Sequence, residues 1–579
     1  MNKLLFTIAL YLTGSLVFAP SAFADSTLTL TWTQPPGYQS TLYESTNLNG
    51  SWTTFGVVNP PVTTQTTNQV TFFYVALAPS TAGANNFIGA GNASIGGGAS
   101  NTNTGYGGTI AGGVNNTVTG GYGTVSGGGY NTNNAYYGSI GGGTLNETIQ
   151  GWSVVGGGFA NIAWAPYSTV GGGYYNQAGG NYSYVGGGNT NSANGNDATV
   201  GGGLNNNAAG LEAVVAGGWQ NNAANGNDTV GGGDHNTASG SRSTIAGGTQ
   251  SSASGYCSSV GGGYGNIATT DSATIGGGVG NFIGGVGNIF GGQNATIAGG
   301  AANTNNAYCG TIGGGILNAI STNDCTDSTI GGGQGNNILL GSETTIGGGC
   351  FNSVSGYYCT IGGGAYNQIS SLLYAMTISG GFSNNVSGNY ATVPGGFLNL
   401  ASGAYSCAAG NRAKAVHQGA FVWADSQAAD FSSTANNQFN VRANGGVLFT
   451  SGSGSANQTV SWTPGSGSWS FTSDRNAKEN FKPLDTQMIL EKVAQLPLTE
   501  WNYKGYEDRH VGPMAQDFHA AFPFNADDKM LNSADEAGVS LAAIQGLNQK
   551  LNDKDAEIQE LKQSMAELKK LVQSLAEKK

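Results

Sequence analysis

The middle of this 579-residue chain repeats itself at a fixed spacing of fifteen residues. A β-branched residue followed by small residues recurs at this spacing at Ile95, Ile110, Val125, Ile140, Val155, Val170, Val185, Val200, Val215, Val230, Ile245, Val260 and Ile275. Later copies keep the pattern with a drifting spacing, at Ile312, Ile330, Ile346, Ile361, Ile378 and Val393. A fixed period identifies a repeat architecture, in which each unit stacks on its neighbours.

The length of the unit selects the kind of repeat. Fifteen residues are too few for a strand and a helix and suit one coil of a β-solenoid. Val and Ile favour strands and point into the coil, while glycine permits positive φ at tight corners. Asparagine, as at Asn236, tolerates the left-handed region and caps its own turn. We predict a mainly β fold with a parallel β-solenoid over residues 86–410, whose open surface is covered by self-association.

Composition excludes several other classes of protein. Glycine fills 101 positions and charged residues make up 9% of the chain, against roughly 7% and 25% in ordinary proteins. The chain has only 13 prolines and no Gly-X-Y period, which excludes collagen, and its 39% hydrophobic content argues against disorder. Arg242 is the only basic residue in 86–410, so we expect no nucleic-acid partner.

Neither a metal nor a cofactor is expected. The fixed Asp of calcium-binding nonapeptide repeats is missing, and no C-x-x-C pair supports a zinc site. Two interpretations of the cysteines stay open: disulfides between adjacent turns, such as Cys309 with Cys325, or small buried side chains.

The N-terminus has the pattern of a secretory signal. Lys3 precedes an apolar stretch at 4–18, and Ala-Phe-Ala at 22–24 fits a cleavage site. We predict a signal peptide over 1–24 and a secreted or cell-surface protein, with an uncleaved anchor as the alternative. No other segment approaches the roughly 20 apolar residues of a membrane span, so we expect no integral membrane segment after cleavage.

Two regions flank the repeats. Residues 25–85 alternate apolar and polar side chains and contain paired prolines, which predicts a small β-sandwich-like module. Its aromatic residues suit a core, or a site for a glycan or protein. Residues 411–472 leave the period, and we interpret them as a cap and neck that block the open end of the solenoid.

The C-terminal stretch, 473–579, is rich in charge and ends in a heptad pattern. Ile544, Leu551, Ile558, Met565 and Val572 share one heptad position. The other seam position holds Leu547, Lys554, Leu561, Leu568 and Leu575. This pattern predicts a coiled coil over 542–579, but it does not fix the number of chains.

Four clusters precede this helix, at 473–480, 501–503, 510–517 and 538–541. In this order they resemble the intramolecular chaperone domain of phage endosialidases and tail spikes, an autoproteolytic serine peptidase. The resemblance implies an α+β domain over 473–541 that aligns three chains and then cuts itself off just before a serine.

Carried onto this sequence, the resemblance places the scissile bond between Thr472 and Ser473. It implies that Ser473 is the nucleophile, Lys478 its partner in a Ser-Lys dyad, and His510 a further catalytic residue. Asp474, Gln516 and Asp517 are supporting residues of the same motifs. A serine hydroxyl needs a base, and lysine serves when it is neutral. On spacing alone, a solvated turn capped by Ser473 or Asp474 explains the pair equally well.

The repeat units, such as 170–176 and 200–206, resemble the head repeats of trimeric autotransporter adhesins. That resemblance implies a left-handed β-roll and three packed chains. Those adhesins end in a membrane-barrel segment, whereas this sequence ends in Glu-Lys-Lys, so we do not expect self-export.

The combined hypothesis is an exported homotrimeric fibre or adhesin-like protein with single-turnover self-cleavage and no other activity. Two alternatives stay open. A polysaccharide-degrading enzyme needs paired carboxylates, for which the repeats offer the scattered Glu147, Glu212 and Asp234. An ice- or mineral-binding solenoid would use the threonine row at Thr169, Thr199, Thr229, Thr244 and Thr274.

Overall fold

The computed structural model describes residues 85–285, 291–452, 458–524 and 527–578, together with seven strands before residue 85. The chain divides into two compact units, Met1–Arg442 and Ala443–Lys579. The mainly β fold with a parallel solenoid is confirmed, and the helices of the described residues all lie in the second unit. None of these helices combines the length and apolar character that a membrane crossing needs.

Two small sheets precede the solenoid. One contains the strands Leu5–Leu10, Ser26–Trp32 and Val62–Thr66. The other contains Val17–Ala19, Thr71–Pro79, Tyr38–Ser45 and Thr53–Val58. Lys3 and the motif at 22–24 lie outside the described residues, so cleavage of the signal peptide stays a prediction.

Each turn of the solenoid adds one short strand to each of two parallel ladders. Strands of the first ladder follow one another at the fifteen-residue spacing from Phe87–Ile88 to Phe282–Ile283. The later strands of this ladder are Thr304–Asn305, Ala319–Ile320, Asn337–Leu340, Ser353–Tyr357, Gln368–Tyr374, Asn385–Val386, Leu400–Ala401, Ala413–Ala415 and Phe431–Ser432.

The second ladder follows the first along each turn. Its strands recur with the same period from Ser94–Ile95 to Thr274–Ile275. Its later strands are Thr296–Ile297, Thr311–Ile312, Thr329–Ile330, Thr345–Ile346, Thr360–Ile361, Thr377–Ile378, Thr392–Val393, Gly396–Phe397, Cys407–Asn411, Phe421–Ala424 and Phe439–Arg442. A row of single-residue parallel bridges, from Ala99 to Phe397, connects the turns at a third position, which we call the bridge row.

The ladders continue beyond residue 410, into the region interpreted as cap and neck. Phe421–Ala424 pairs with Cys407–Asn411, and Phe439–Arg442 pairs with Phe421–Ala424. Arg442 closes this end of the unit through a 2.8 Å hydrogen bond from its Nε to Asp425.

The recurrent Val and Ile side chains point into the coil, as predicted. Val215, Val230 and Ile245 are 0% exposed, whereas the preceding strand residue faces outward in each turn. The interior is one narrow column of Val, Ile and Ala with small polar residues. The left-handed sense of the coil stays a prediction from the resemblance.

The predicted role of asparagine is confirmed only in part at Asn236: its side chain bonds within its own turn, but its backbone is not left-handed. Asn236 does not occupy the left-handed region; that conformation belongs to His235, with φ of 55°. The Asn236 side chain is buried instead, and its Nδ2 donates to the carbonyls of Gly232 and Gly248 at 3.0 and 2.8 Å. Its backbone N–H donates to Oδ1 of Asn221, one turn earlier. An internal asparagine ladder therefore connects successive turns, because a buried amide must use its donors and acceptor.

All six cysteines are free in this structure. Cys325 and Cys359 lie buried in the column, whereas Cys309 is half-buried at a corner. The Cys309–Cys325 disulfide is therefore not formed. Burial raises the pKa of the Cys359 thiol to about 11.

The second unit begins with an antiparallel sheet of Val447–Ser451, Gln458–Trp462 and Ser470–Phe471. A 3-10 turn, Arg475–Ala477, follows it. The remaining elements are the helix Thr486–Gln495, the hairpin Thr499–Trp501 and His510–Gly512, and the helices Ala515–Ala521 and Ser533–Ala576. A small core of Ile489, Phe518, Phe522, Val539, Ala542 and Ala543 joins the three helices.

The last helix, Ser533–Ala576, extends well beyond this core. The seam residues Leu551, Leu561 and Leu568 are 57–60% exposed in the single chain. A helix with such an apolar stripe is stable when partner helices cover the stripe. The helix itself is observed, and its coiled-coil pairing stays a prediction.

Candidate active site

Ser473 and Lys478 lie in contact at the start of the second unit. Lys478 Nζ donates a hydrogen bond to Ser473 Oγ at 2.7 Å. Ser473 lies just after the last strand of the sheet, and Lys478 ends the 3-10 turn Arg475–Ala477. The tight turn between them therefore brings the amine back to the hydroxyl.

Asp474 explains why the chain turns at this point. Its carboxylate accepts a 2.9 Å hydrogen bond from the backbone N–H of Asn476 and caps the 3-10 turn. Capping by Asp is a common way to satisfy the free N–H groups at the start of a helical turn. The capping interpretation and the dyad interpretation thus describe different residues of one arrangement, because Asp474 caps while Lys478 contacts Ser473.

The residue before the predicted scissile bond is fixed to the sheet. Thr472 donates its backbone N–H to the Thr459 carbonyl at 2.9 Å. The Thr472 hydroxyl accepts from the Thr459 backbone N–H at 2.8 Å and lies 3.2 Å from the Thr459 carbonyl. The Thr472–Ser473 bond is therefore held between an anchored strand end and a capped turn.

A cavity of about 510 Å³ lies over this bond. Its lining comes from the sheet, from the turn and from the beginning of the last helix: Phe449, Thr450, Ser451, Gln458, Thr459, Val460, Phe471, Thr472, Ser473, Asp474, Ala477, Lys478, Asn532, Ala534 and Asp535. Both Ser473 and Lys478 are exposed to this space in the single chain.

The cavity contains residues that the sequence analysis missed. Asn532 accepts a hydrogen bond from the Ala534 backbone N–H and caps the helix Ser533–Ala576. The Asn-Ser-Ala-Asp sequence at 532–535 is close to a capping-box pattern, which could have marked this helix start. Its position beside Ser473 could not be predicted, because about 60 residues separate the two along the chain.

His510 lies in a different cluster of side chains. Its ring centroid is 4.7 Å from that of Trp501 and 5.8 Å from that of Tyr503. His510 is absent from the lining of the cavity over Ser473. The single chain thus brings together Thr472, Ser473 and Lys478 but not His510, whose catalytic role stays a prediction.

Gln516 and Asp517 belong to the first turn of the helix Ala515–Ala521. Neither side chain lines the cavity. Asp517 is the acidic residue in that first turn, where a carboxylate favourably meets the helix dipole. Asp517 therefore has a local structural role at the start of this helix. It does not contact Ser473 or Lys478 in the structure.

The acids that would serve a polysaccharide-degrading site lie on separate surfaces. Glu147 faces outward from a first-ladder strand, Glu212 lies at a corner beside Asn227, and Asp234 contacts His235 in the bridge row. These three carboxylates do not pair with one another. Within the part of the chain that the structure describes, no group of three or more His, Cys, Asp or Glu residues could hold a metal ion.

Comparison with known proteins finds a similarity for the segment that contains Ser473 and Lys478. Residues 473–526 match the family model Peptidase_S74, described as the chaperone of endosialidase. The match begins at Ser473 and spans the turn, the first helix, the hairpin and the helix Ala515–Ala521. No curated protein matches the chain.

Proposed function

We propose that the chain is an exported homotrimeric fibre whose C-terminal module assists trimer folding and then cuts the chain between Thr472 and Ser473. The endosialidase-chaperone match after a long parallel solenoid supports a tail-spike-like trimeric fibre with an intramolecular chaperone. The observation that carries the cleavage is the 2.7 Å contact between Lys478 Nζ and Ser473 Oγ at the first residue of that match.

The proposed reaction uses the two contacting atoms directly. Ser473 Oγ attacks the carbonyl carbon of Thr472, and neutral Lys478 accepts the hydroxyl proton. The Thr472–Ser473 amide bond breaks, the proton passes to the departing nitrogen, and an ester joins Thr472 to Ser473 Oγ. Water then hydrolyses the ester, which leaves a carboxylate on Thr472 and a fragment that begins at Ser473.

The solenoid gives a physical reason for a removable chaperone. Successive turns are nearly identical, so chains can pair out of register by whole turns, and non-local pairing is slow. Three joined helices at Ser533–Ala576 would raise the local concentration of the chains and align their ends. Removal of this clamp after folding would leave a fibre protected by a slow unfolding rate. Its outward role would be adhesion or structural support.

The test is to express the full chain and measure the masses of its products. A fragment beginning at Ser473 is expected, and Ser473→Ala and Lys478→Ala should abolish it. Lys482→Ala is the matched control, because Lys482 is exposed four residues further on and does not line the cavity. A wild-type trimer that stays intact would refute cleavage, and N-terminal sequencing at Asp25 would test export.

A further inference from the structure

One surface of the solenoid carries almost no charge. It consists of the outward residues of the second ladder, the two small residues that follow each strand, and the bridge row; we call it the uncharged band. Eight of the nine acids between residues 86 and 410 lie outside the band, as does Arg242. The ninth acid, Asp234, contacts His235. Burial of this surface would therefore cover a single carboxylate in each chain, one that is in contact with an imidazole; the burial of many unpaired charges would be costly.

The outward residues along the strands of the band, from Ser94–Ile95 to Thr392–Val393, are Thr, Ser or Val, except for Tyr184. Every strand of the second ladder from Thr296–Ile297 to Thr392–Val393 begins with threonine. In the bridge row, large apolar side chains are exposed: Trp219 by 47%, Tyr264 by 52% and Ile316 by 49%. The band is thus flat beside the strands and apolar at its edge.

The single chain explains only half of one row of glycines in the band: ten of its twenty members, such as Gly127 and Gly232, have φ of 146–156°, which itself favours glycine, and the other ten do not. The second residue after each recurrent Val or Ile is glycine in all twenty turns: Gly97, Gly112, Gly127, Gly142, Gly157, Gly172, Gly187, Gly202, Gly217, Gly232, Gly247, Gly262, Gly277, Gly299, Gly314, Gly332, Gly348, Gly363, Gly380 and Gly395. At Gly97, Gly247 and Gly363, a Cβ would meet no atom within 4 Å. At these three the backbone is also outside the left-handed region. The chain alone would accept a side chain there.

The neighbouring glycine row, formed by the first residue after each strand, differs in the space available for a Cβ. At Gly231 and Gly261, the first residue after the strand, a Cβ would lie 2.3 Å from the carbonyl oxygen of the next turn. That row thus has a local reason for glycine in the stacking of the chain's own turns, although seven of its twenty positions, such as Ala216 and Ala246, carry Ala, Ser or Pro. Half of the second row needs another explanation, and glycine without a local reason marks the close approach of another backbone.

We infer that the uncharged band is the surface on which the copies of this chain pack against one another. The inference rests on the proposed trimer and identifies which side of each solenoid faces its partners. A second copy is the occupant that fits, because the band runs from the first turns to the last, as a parallel copy of equal length would. It also offers small, uncharged and apolar groups rather than charges for a partner of opposite sign. The first ladder and the corner that carries Asp197, Glu212 and Arg242 remain facing solvent.

A matched pair of cysteine substitutions tests this assignment. Thr229 belongs to the band and Thr237 to the first ladder; both are half-buried outward threonines on two-residue strands, eight residues apart. In the full chain, we expect Thr229→Cys to react with a maleimide at least about ten-fold more slowly than Thr237→Cys, because a covered thiol is shielded from the reagent. Exposed Cys257 reports the maximal rate in the same sample.

A second pair changes the glycine row itself. Gly247→Arg should lower the melting temperature of the trimer or its mass in light scattering, whereas Ser254→Arg, at the exposed position after the first-ladder strand Ser252–Ala253, should not. A wild-type protein of single-chain mass would overturn the proposed trimer. If the wild-type protein is a trimer but the two cysteine variants react at equal rates, or the two arginine variants behave alike, the uncharged band is not the packing surface. Its threonine row would then be open to solvent.

Discussion

Lys478 Nζ lies 2.7 Å from Ser473 Oγ, and the Asp474-capped turn between them holds the two side chains together. The turn places a potential base on the hydroxyl next to the predicted scissile bond. Because the contact depends on one short turn and not on distant packing, each of its parts can be changed separately.

Lys478→Arg separates the hydrogen bond from the proton transfer. Arginine can still donate to Ser473, but it does not lose its proton in proteins and so cannot act as the base. We expect a folded protein without the Ser473 fragment in intact-mass measurements. Lys482→Arg should be cleaved like the wild type. Cleavage that persists in Lys478→Arg would show that lysine is not the base.

Thr472→Val tests the anchoring of the scissile bond. Valine keeps the shape of the side chain but removes the hydroxyl that bonds with the Thr459 backbone. Loss of about 1 kcal/mol of positioning should slow cleavage roughly five- to ten-fold. The rate is measured by quantifying the fragment over time, with Thr463→Val, on the turn after the middle strand, as control. An unchanged rate would mean that the strand end does not position the bond.

Asn206 and Asn207 are adjacent, but only the first belongs to the internal ladder. Asn206→Ala would leave the carbonyl of Gly202 and the N–H of Asn221 without their partner, and would remove one of the two donors to the Gly218 carbonyl, which keeps the Leu204 N–H. Each unsatisfied buried group costs about 1–3 kcal/mol, so the unfolding temperature should fall. Asn207 faces outward and bonds only to Asn222, so Asn207→Ala should change it little. Equal effects in thermal melts would contradict the ladder.

Two glycines of the last helix should respond oppositely to alanine. A Cβ at Gly546 would lie 2.2 Å from the carbonyl oxygen of Thr486, whereas one at Gly538 would meet nothing within 4 Å. Gly546→Ala should destabilise the C-terminal module by about 1–3 kcal/mol through overpacking. Gly538→Ala should stabilise it by about 0.5–1 kcal/mol through helix propensity. The stability of both variants is measured from the loss of helical circular dichroism on heating. A Gly546→Ala variant that is more stable than the wild type would contradict the close packing of the helices.

The cysteines should differ in reactivity as their burial dictates. Burial raises the pKa of Cys359 to about 11, so near pH 8 only about one thiol in a thousand is the reactive thiolate. As pH rises towards that value, the thiolate fraction increases, but the buried sulfur stays shielded. Peptide mass mapping after maleimide treatment should find Cys257 modified and Cys359 unmodified. Rapid labelling of Cys359 in folded protein would contradict its place in the column.

The solenoid was predictable because its information is local and periodic. Val230 and its counterparts recur once in each fifteen-residue unit, and the alternation of a strand sends them inward without any long-range choice. The bond of Asn236 to Gly232 lies within its own turn, as predicted, but its bonds to Gly248 and Asn221 were not predictable because those partners lie one turn ahead and one turn behind. Hydrogen bonds between turns produce no recognisable pattern within the sequence of a single repeat unit.

The sequence by itself determined the repeat, the inward Val and Ile, the final helix and the motif that contains Ser473 and Lys478. Only the tertiary structure decided that Asn532 lines the same cavity as Ser473 and Lys478, and that His510 packs against Trp501 instead. The physical reason is chain separation. Periodicity and capping act within a few residues, whereas a cavity is formed by side chains that folding brings together from distant positions.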